Sequence, residues 1–279
     1  MLSHRILTIQ DISCVGQCSL TVALPILSAC GLETAVLPSA VLSTHTAGFK
    51  GFTCRDLTDD MPLIRDHWIK ENLTFDAIYT GYLGSETQIG IVESIADSLL
   101  TRGGKLLVDP AMADGGRLYP AFDEAFVNRM KALAFRSDIL LPNLTEACFL
   151  TGLPYKETSE RAYLDSVLDA LHQNGAKTVV LTGVSDDPET TGVFVSTPDE
   201  RKCYHHRRIP GGCHGTGDIY ASAFTGAYLR GHSVYDAAVI AADYTVACIE
   251  DTIGDKSHWY GARFEPSLPL LIRRVSREG

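Results

Sequence analysis

Short apolar runs alternate with longer amphipathic ones along most of this chain, and that alternation predicts its elements. RILTIQ (5–10), TAVLPSAV (34–41), AIYTGYL (77–83), KLLVDP (105–110), SDILLPN (137–143) and KTVVLTG (177–183) are apolar almost throughout. A strand with one wet face would alternate more strictly, so these runs predict a parallel sheet covered on both sides. Residues 19–30, 56–71, 86–102, 122–135, 144–151 and 158–174 carry helical spacing. Three of these helices run into glycine, in SACG, TRGG and HQNG, as a left-handed C-terminal cap requires. Past Gly183 the pattern changes. TTGVFVSTPDERKCYHHRRIP (190–210) predicts a hairpin at the sheet edge, turning at TPDE. Helices over 216–230 and 233–250 follow, before a weakly patterned tail. No repeat or linker interrupts the series. Residues 1–279 are therefore expected to form one domain, a three-layer αβα sandwich around a central, mostly parallel sheet. Its site should lie at the C-terminal ends of the parallel strands.

Composition narrows the chemistry. The 279 residues can bury a sizeable core, and a formal net charge of −10 argues against nucleic-acid or anionic-membrane partners. A small phosphorylated ligand stays open, because local groups hold it. No run reaches the roughly 18 apolar residues of a membrane span, and MLSHRILTIQ reads as a first strand rather than a secretory signal. The eight cysteines lack the paired spacing of a zinc site or a disulfide scaffold. They read as reduced thiols of a cytoplasmic protein.

The densest local signal is GGCHGTGD (211–218), set immediately before the apolar run IYASAFTGAYL. A helix start leaves backbone N–H groups unpartnered at the positive end of its dipole. Glycines there let an oxyanion or phosphate approach the backbone. Asp218 then has two readings: a favourable first-turn charge, or a general base beside a phosphoryl-transfer site. Neither the Walker pattern nor the dinucleotide fingerprint is present.

With these motifs the chain resembles the ribokinase-like superfamily of small-molecule kinases, marked by GTGD. More closely it resembles the pyridoxal (pyridoxine, pyridoxamine) kinases, through ILTIQD (6–11), STHTAGFKG (43–51), VDPAMAD (108–114), GGRLYP (115–120), LPNLTEA (141–147) and LTGVSDDP (181–188). The resemblance implies ATP-dependent phosphorylation of the 5′-hydroxymethyl group of a B6 vitamer. It implies Asp218 as catalytic base, with the amides of Gly215, Thr216 and Gly217 as the anion hole. It places Asp109 and Glu146 near Mg²⁺ and the phosphates, and Asp114, Asn143 and Thr182 on the ATP side. Thr46 would contact the B6 ring, and Tyr119 would belong to a flap over the nucleotide. A monovalent cation (K⁺ or Na⁺) near Asp109 and a homodimer come with the same likeness.

Plainer readings stand beside these. Asp109 could end a strand in a turn, and Asn143 with Glu146 could form a capping box. Thr182 could be strand-end chemistry, Tyr119 a packing residue, and His45 a satisfied core histidine. The relatives read Ile-Gln-Ser where this chain reads IQD. Either Asp11 pairs with a protonated ring nitrogen, or it points away and Ser13 serves instead. Cys213 is either a small residue fitting a crowded turn or, if the helix start lowers its pKa, a thiolate able to add to the pyridoxal aldehyde. The rival functions are a hydroxymethylpyrimidine kinase of the same fold and a non-catalytic B6-binding protein.

Overall fold

A computed structural model describes residues 5–157, 160–185, 187, 189–210 and 213–276. Its main sheet holds β1 (Arg5–Ser13), β2 (Glu33–Leu42), β3 (Cys54–Asp56), β4 (Phe75–Thr80), β5 (Leu100–Val108), β8 (Ile139–Leu140), β9 (Val179–Val184), β10 (Thr190–Ser196) and β11 (Arg201–Arg207). A separate hairpin pairs β6 (Ala113–Asp114) with β7 (Arg117–Leu118). The main sheet runs in the order β11-β10-β9-β8-β5-β4-β1-β2-β3. Six central strands, from β9 across to β2, are parallel. Only β10, β11 and β3, at the two ends, are antiparallel.

Side chains from this sheet enter two cores. Leu7, Ile9, Ile78, Leu106, Val108, Leu140 and Leu181 point to one face. There α2 (Asp60–Lys70), α3 (Glu86–Leu99), α4 (Glu124–Arg136), α5 (Leu144–Thr151) and α6 (Arg161–Gln173) cover them. Ile6, Tyr79, Leu107, Ile139 and Val180, the alternating positions, point to the other face. That face is covered by α1 (Leu20–Ala29), α7 (Thr216–Leu229), α8 (Val234–Thr252) and α9 (Leu268–Val275). The near-continuous apolar runs follow from this: a period-2 backbone with both faces buried has no position to leave polar. The expected three-layer, ribokinase-like sandwich is the architecture observed.

Boundaries differ where local patterns compete. Helix 56–71 begins only at Asp60, because Cys54–Asp56 joins the sheet edge as β3. Gly31 and Gly175 take the left-handed conformation after α1 and α6, as expected. In TRGG, however, α3 has already ended and Gly103 lies inside β5. The C-terminal tail contains α9, whose Leu271 and Val275 are buried against the second core. Eight residues carry too few turns for their stripe to stand out in sequence. The start of helix 158–174 and Gly211–Gly212 lie outside the described residues, as do Asp186 and Pro188.

Candidate active site

The parallel strands deliver their C-terminal ends to one cavity of about 490 Å³. β1 brings Asp11 and Ser13, the turn after β5 brings Asp109, and β9 brings Thr182. The first turns of α5 and α7 bring Glu146 and Asp218. Among the described residues five carboxylates line the cavity, those of Asp11, Asp56, Asp109, Glu146 and Asp218, and no lysine or arginine does.

The glycines of GTGD divide their work. Gly215 caps α7 with φ of 80°, and a Cβ there would lie 1.8 Å from the Gln17 carbonyl oxygen. Its lack of a side chain lets the 213–217 turn pack on the 16–19 backbone, a role sequence alone did not suggest. Gly217 needs no left-handed backbone and has nothing within 4 Å of its Cβ position. It faces the cavity, so it is the position where a phosphoryl group can come close to the backbone. Thr216 starts the helix and donates its hydroxyl to the Cys213 carbonyl at 3.4 Å. Burial pushes the Asp218 carboxyl up to about 6; the Ser19 amide opposes this and the charge of Asp11 adds to it. Such a group is ionised at neutral pH yet basic enough to accept a proton.

Asn143 and Glu146 do form the capping box. Asn143 Oδ1 accepts from the Glu146 amide at 2.9 Å, and Glu146 Oε2 accepts from the Asn143 amide at 2.9 Å. The two readings are compatible, because Glu146 Oε1 reaches on to the Met112 amide at 3.0 Å and the residue still borders the cavity. Asn143 Nδ2 donates to the Ala113 carbonyl at 2.8 Å. One helix cap thereby holds the β6–β7 hairpin beside the site. Burial pushes Glu146 up to about 7, against the pull of those amides. Asp109 is raised well above the carboxylate range by burial, and further by Glu146 and Asp218. Tyr119, just beyond β7, borders the same acids.

This pair suits a hard cation. Burial raises both carboxyls, Glu146 raises Asp109 further, and no lysine or arginine among the described residues lines their cavity, so a bound divalent ion would relieve both. Among the described residues no group of three or more His, Cys, Asp or Glu could hold a metal alone. Mg²⁺ commonly takes only one or two protein carboxylates, with phosphates and water filling its shell. Asp109 and Glu146 therefore fit it.

Asp11 is 5% exposed and faces the cavity. It accepts from Ser13 Oγ at 3.1 Å and from Ser19 Oγ at 2.5 Å, so Asp11 and Ser13 are hydrogen-bonded to each other at the cavity wall. His45 is satisfied, as expected: the Ala47 amide donates to Nδ1 at 3.1 Å, which leaves Nε2–H to donate to the Tyr260 carbonyl at 2.6 Å. Burial lowers its pKa, and the imidazole is neutral. It also walls the cavity with Thr46. The 43–53 segment carrying both is tied to the 256–262 turn, through Phe49 on Trp259 with ring centres 4.6 Å apart.

Two neighbouring cavities complete the surroundings. One of about 600 Å³ shares Asn143 and Thr182 with the first and adds Asp114 and Arg208. Another, of about 500 Å³, holds Cys213 and His214 against Asp255 and Trp259. Cys213 borders that space and not the acidic cavity, and burial pushes its thiol up. α7 begins only at Thr216, so Cys213 lies outside its first turn.

Sequence reasoning missed Ser19, Asp56, Tyr82 and Arg208, which reach these cavities only through tertiary packing. Ser19 alone left a signal, as the polar residue opening the helix expected over 19–30.

Comparison with known proteins extends this picture. Residues 39–261 match the phosphomethylpyrimidine kinase family. A Dictyostelium discoideum pyridoxal kinase is 28% identical over 243 residues, spanning 81% of this chain and 78% of its own. The crystal structure of pyridoxal kinase from Lactobacillus plantarum superposes with a TM-score of 0.90 at 31% identity, covering 99% of both chains. A Bacteroides thetaiotaomicron protein solved with pyridoxal gives a TM-score of 0.90 at 36% identity, covering 96% of both chains.

Proposed function

This chain belongs to the phosphomethylpyrimidine kinase family, and from that premise we propose that it phosphorylates the 5′-hydroxymethyl group of B6 vitamers with ATP. The observation that carries the reading is one acidic cavity holding two carboxylates in different settings. Asp218 stands beside the open Gly217 backbone. Asp11 accepts from two serine hydroxyls. A pyridine whose ring nitrogen carries a proton suits Asp11, and its hydroxymethyl group can then lie near Asp218. Pyridoxal kinases among the relatives, and the neighbour solved with pyridoxal, support the same substrate class.

Asp218 accepts the hydroxyl proton as the oxygen attacks the γ-phosphoryl group, and the bond from that phosphorus to the bridging oxygen breaks to release ADP. The amides of Gly215, Thr216 and Gly217 receive the phosphoryl charge at the start of α7. Asp109 and Glu146 would hold Mg²⁺, which would offset phosphate charge. Asp114, Asn143 and Thr182 line the path to ATP, Tyr119 covers it, and Thr46 with Ser13 borders the vitamer. A monovalent cation (K⁺ or Na⁺) near Asp109 and a homodimer of single-domain chains in the cytoplasm complete the proposal. Among the described residues no helix is long and apolar enough to cross a membrane.

The family description favours a second reading, a hydroxymethylpyrimidine kinase. Purified protein supplied with ATP, Mg²⁺ and either pyridoxal or hydroxymethylpyrimidine distinguishes the two. Formation of pyridoxal 5′-phosphate at the higher kcat/KM is expected, and a preference for the pyrimidine would replace the first reading with the second.

A further inference from the structure

Ser19 precedes α1, and it differs from those helix starts of this chain whose side chains cap the helix. Ser85, Asp123, Asn143 and Ser233 each accept, through the side chain, from an amide three residues on. That is what such residues ordinarily contribute at an N-cap. Ser19 makes no side-chain capping bond. It sits instead at φ 52° and ψ −135°, a region that side-chain-bearing residues rarely enter. It is 5% exposed. Only one other non-glycine residue among those described has positive φ, the turn residue Asn72.

This backbone serves two carboxylates at once. The Ser19 hydroxyl donates to Asp11 Oδ1 at 2.5 Å, and the Ser19 backbone amide lies close enough to the Asp218 carboxylate to favour its ionised form. The neighbouring backbone at Gln17 is the one that Gly215 admits. The 16–19 segment is thus clamped between the strand end carrying Asp11 and the turn carrying Asp218. A serine in an ordinary N-cap conformation would direct its side chain to the helix, leaving Asp11 without that donor. Strain at a buried residue persists only where its surroundings enforce it, and here the surroundings carry two carboxylates of one cavity.

We propose that Ser19 is a positioning residue for the reaction, a strained bracket that fixes Asp11 relative to Asp218 and so sets the vitamer hydroxymethyl group against the base. The inference rests on the reading of Asp218 as base. Ser19→Gly and Ser19→Ala both remove the hydroxyl, but only glycine relieves the backbone. Melting temperature and steady-state kinetics are measured for both variants, with Asp218→Asn as control. Ser19→Gly is expected to melt at or above the wild-type temperature while losing about tenfold or more in kcat/KM for pyridoxal, the scale of one hydrogen bond to a charged group. KM for ATP should stay within about twofold of wild type, a split that loss of fold would not produce. Ser19→Ala should show the same kinetic loss with a lower melting temperature. Wild-type kcat/KM in a folded Ser19→Gly protein, with Asp218→Asn inactive, overturns the inference alone and reduces Ser19 to a helix boundary. Activity in Asp218→Asn overturns the base reading and the inference together.

Discussion

Asp218 carries the sharpest expectation at the scale of single residues. Burial raises its carboxyl to about 6, and a base must be ionised to accept a proton. Activity should therefore fall as pH drops through about 6, and Asp218→Asn should lower kcat by about 10²–10⁴-fold with ATP affinity retained. A pH profile of kcat alongside nucleotide binding checks both, and an unshifted acidic limb in an active variant removes Asp218 from the role. Gly217 gives an independent handle. Its Cβ direction is open and its backbone needs no special φ, so Gly217→Val should fold while filling the phosphoryl approach. A loss of at least about tenfold in kcat is expected, since blocked oxyanion donors cost that much or more. The same substitution at Gly215 is a poor probe, because there the Cβ would strike the Gln17 carbonyl.

Among the elements, the one the sequence showed least is the 43–53 segment and its anchor. His45 bonds the Tyr260 carbonyl, Phe49 packs on Trp259, and Gly48 lies so close that a Cβ would meet the Trp259 ring at 2.8 Å. Histidine, phenylalanine and glycine in STHTAGFKG have no periodicity that announces such a partner more than 200 residues away. The contact secures one wall of the acidic cavity, the proposed vitamer site. Phe49→Ala should raise KM for pyridoxal about two- to tenfold, from an aromatic pair of about 0.5–1.5 kcal/mol, and leave KM for ATP nearly unchanged. Equal rises in both constants would show that the segment supports the whole site rather than the vitamer wall.

On the scale of the molecule, the concentration of acids in one cavity links stability to pH and to cations. Folded Asp218 keeps its proton up to about 6 and Glu146 up to about 7, and Asp11 and Asp109 shift the same way. Unfolded carboxyls release theirs near about 4. Between these limits the folded state binds more protons than the unfolded one, so stability must fall as pH rises. The metal-free protein should melt at a lower temperature at pH about 8 than at about 5.5, and Mg²⁺ with ATP should recover more of that loss at the higher pH. Calorimetry at the two pH values decides it. A melting temperature independent of pH would mean that the acids are not held as described.

The sandwich was legible in the sequence because a strand buried on both faces must be apolar at nearly every position, and RILTIQ, KLLVDP and KTVVLTG are. GTGD likewise marked the helix start and its acid, since glycine and aspartate act there through local backbone chemistry. The capping box of Asn143 and Glu146 was readable for the same reason. What only the tertiary structure decided is which distant groups meet. Asp11 and Asp218 lie on the first strand and the seventh helix, and Ser19 joins them through a backbone conformation no local rule predicts for serine. Cys213 sits beside the motif in sequence and faces another cavity in space. Periodicity and turn chemistry act over a few residues, whereas burial and charge at a site depend on every chain segment that packs around it.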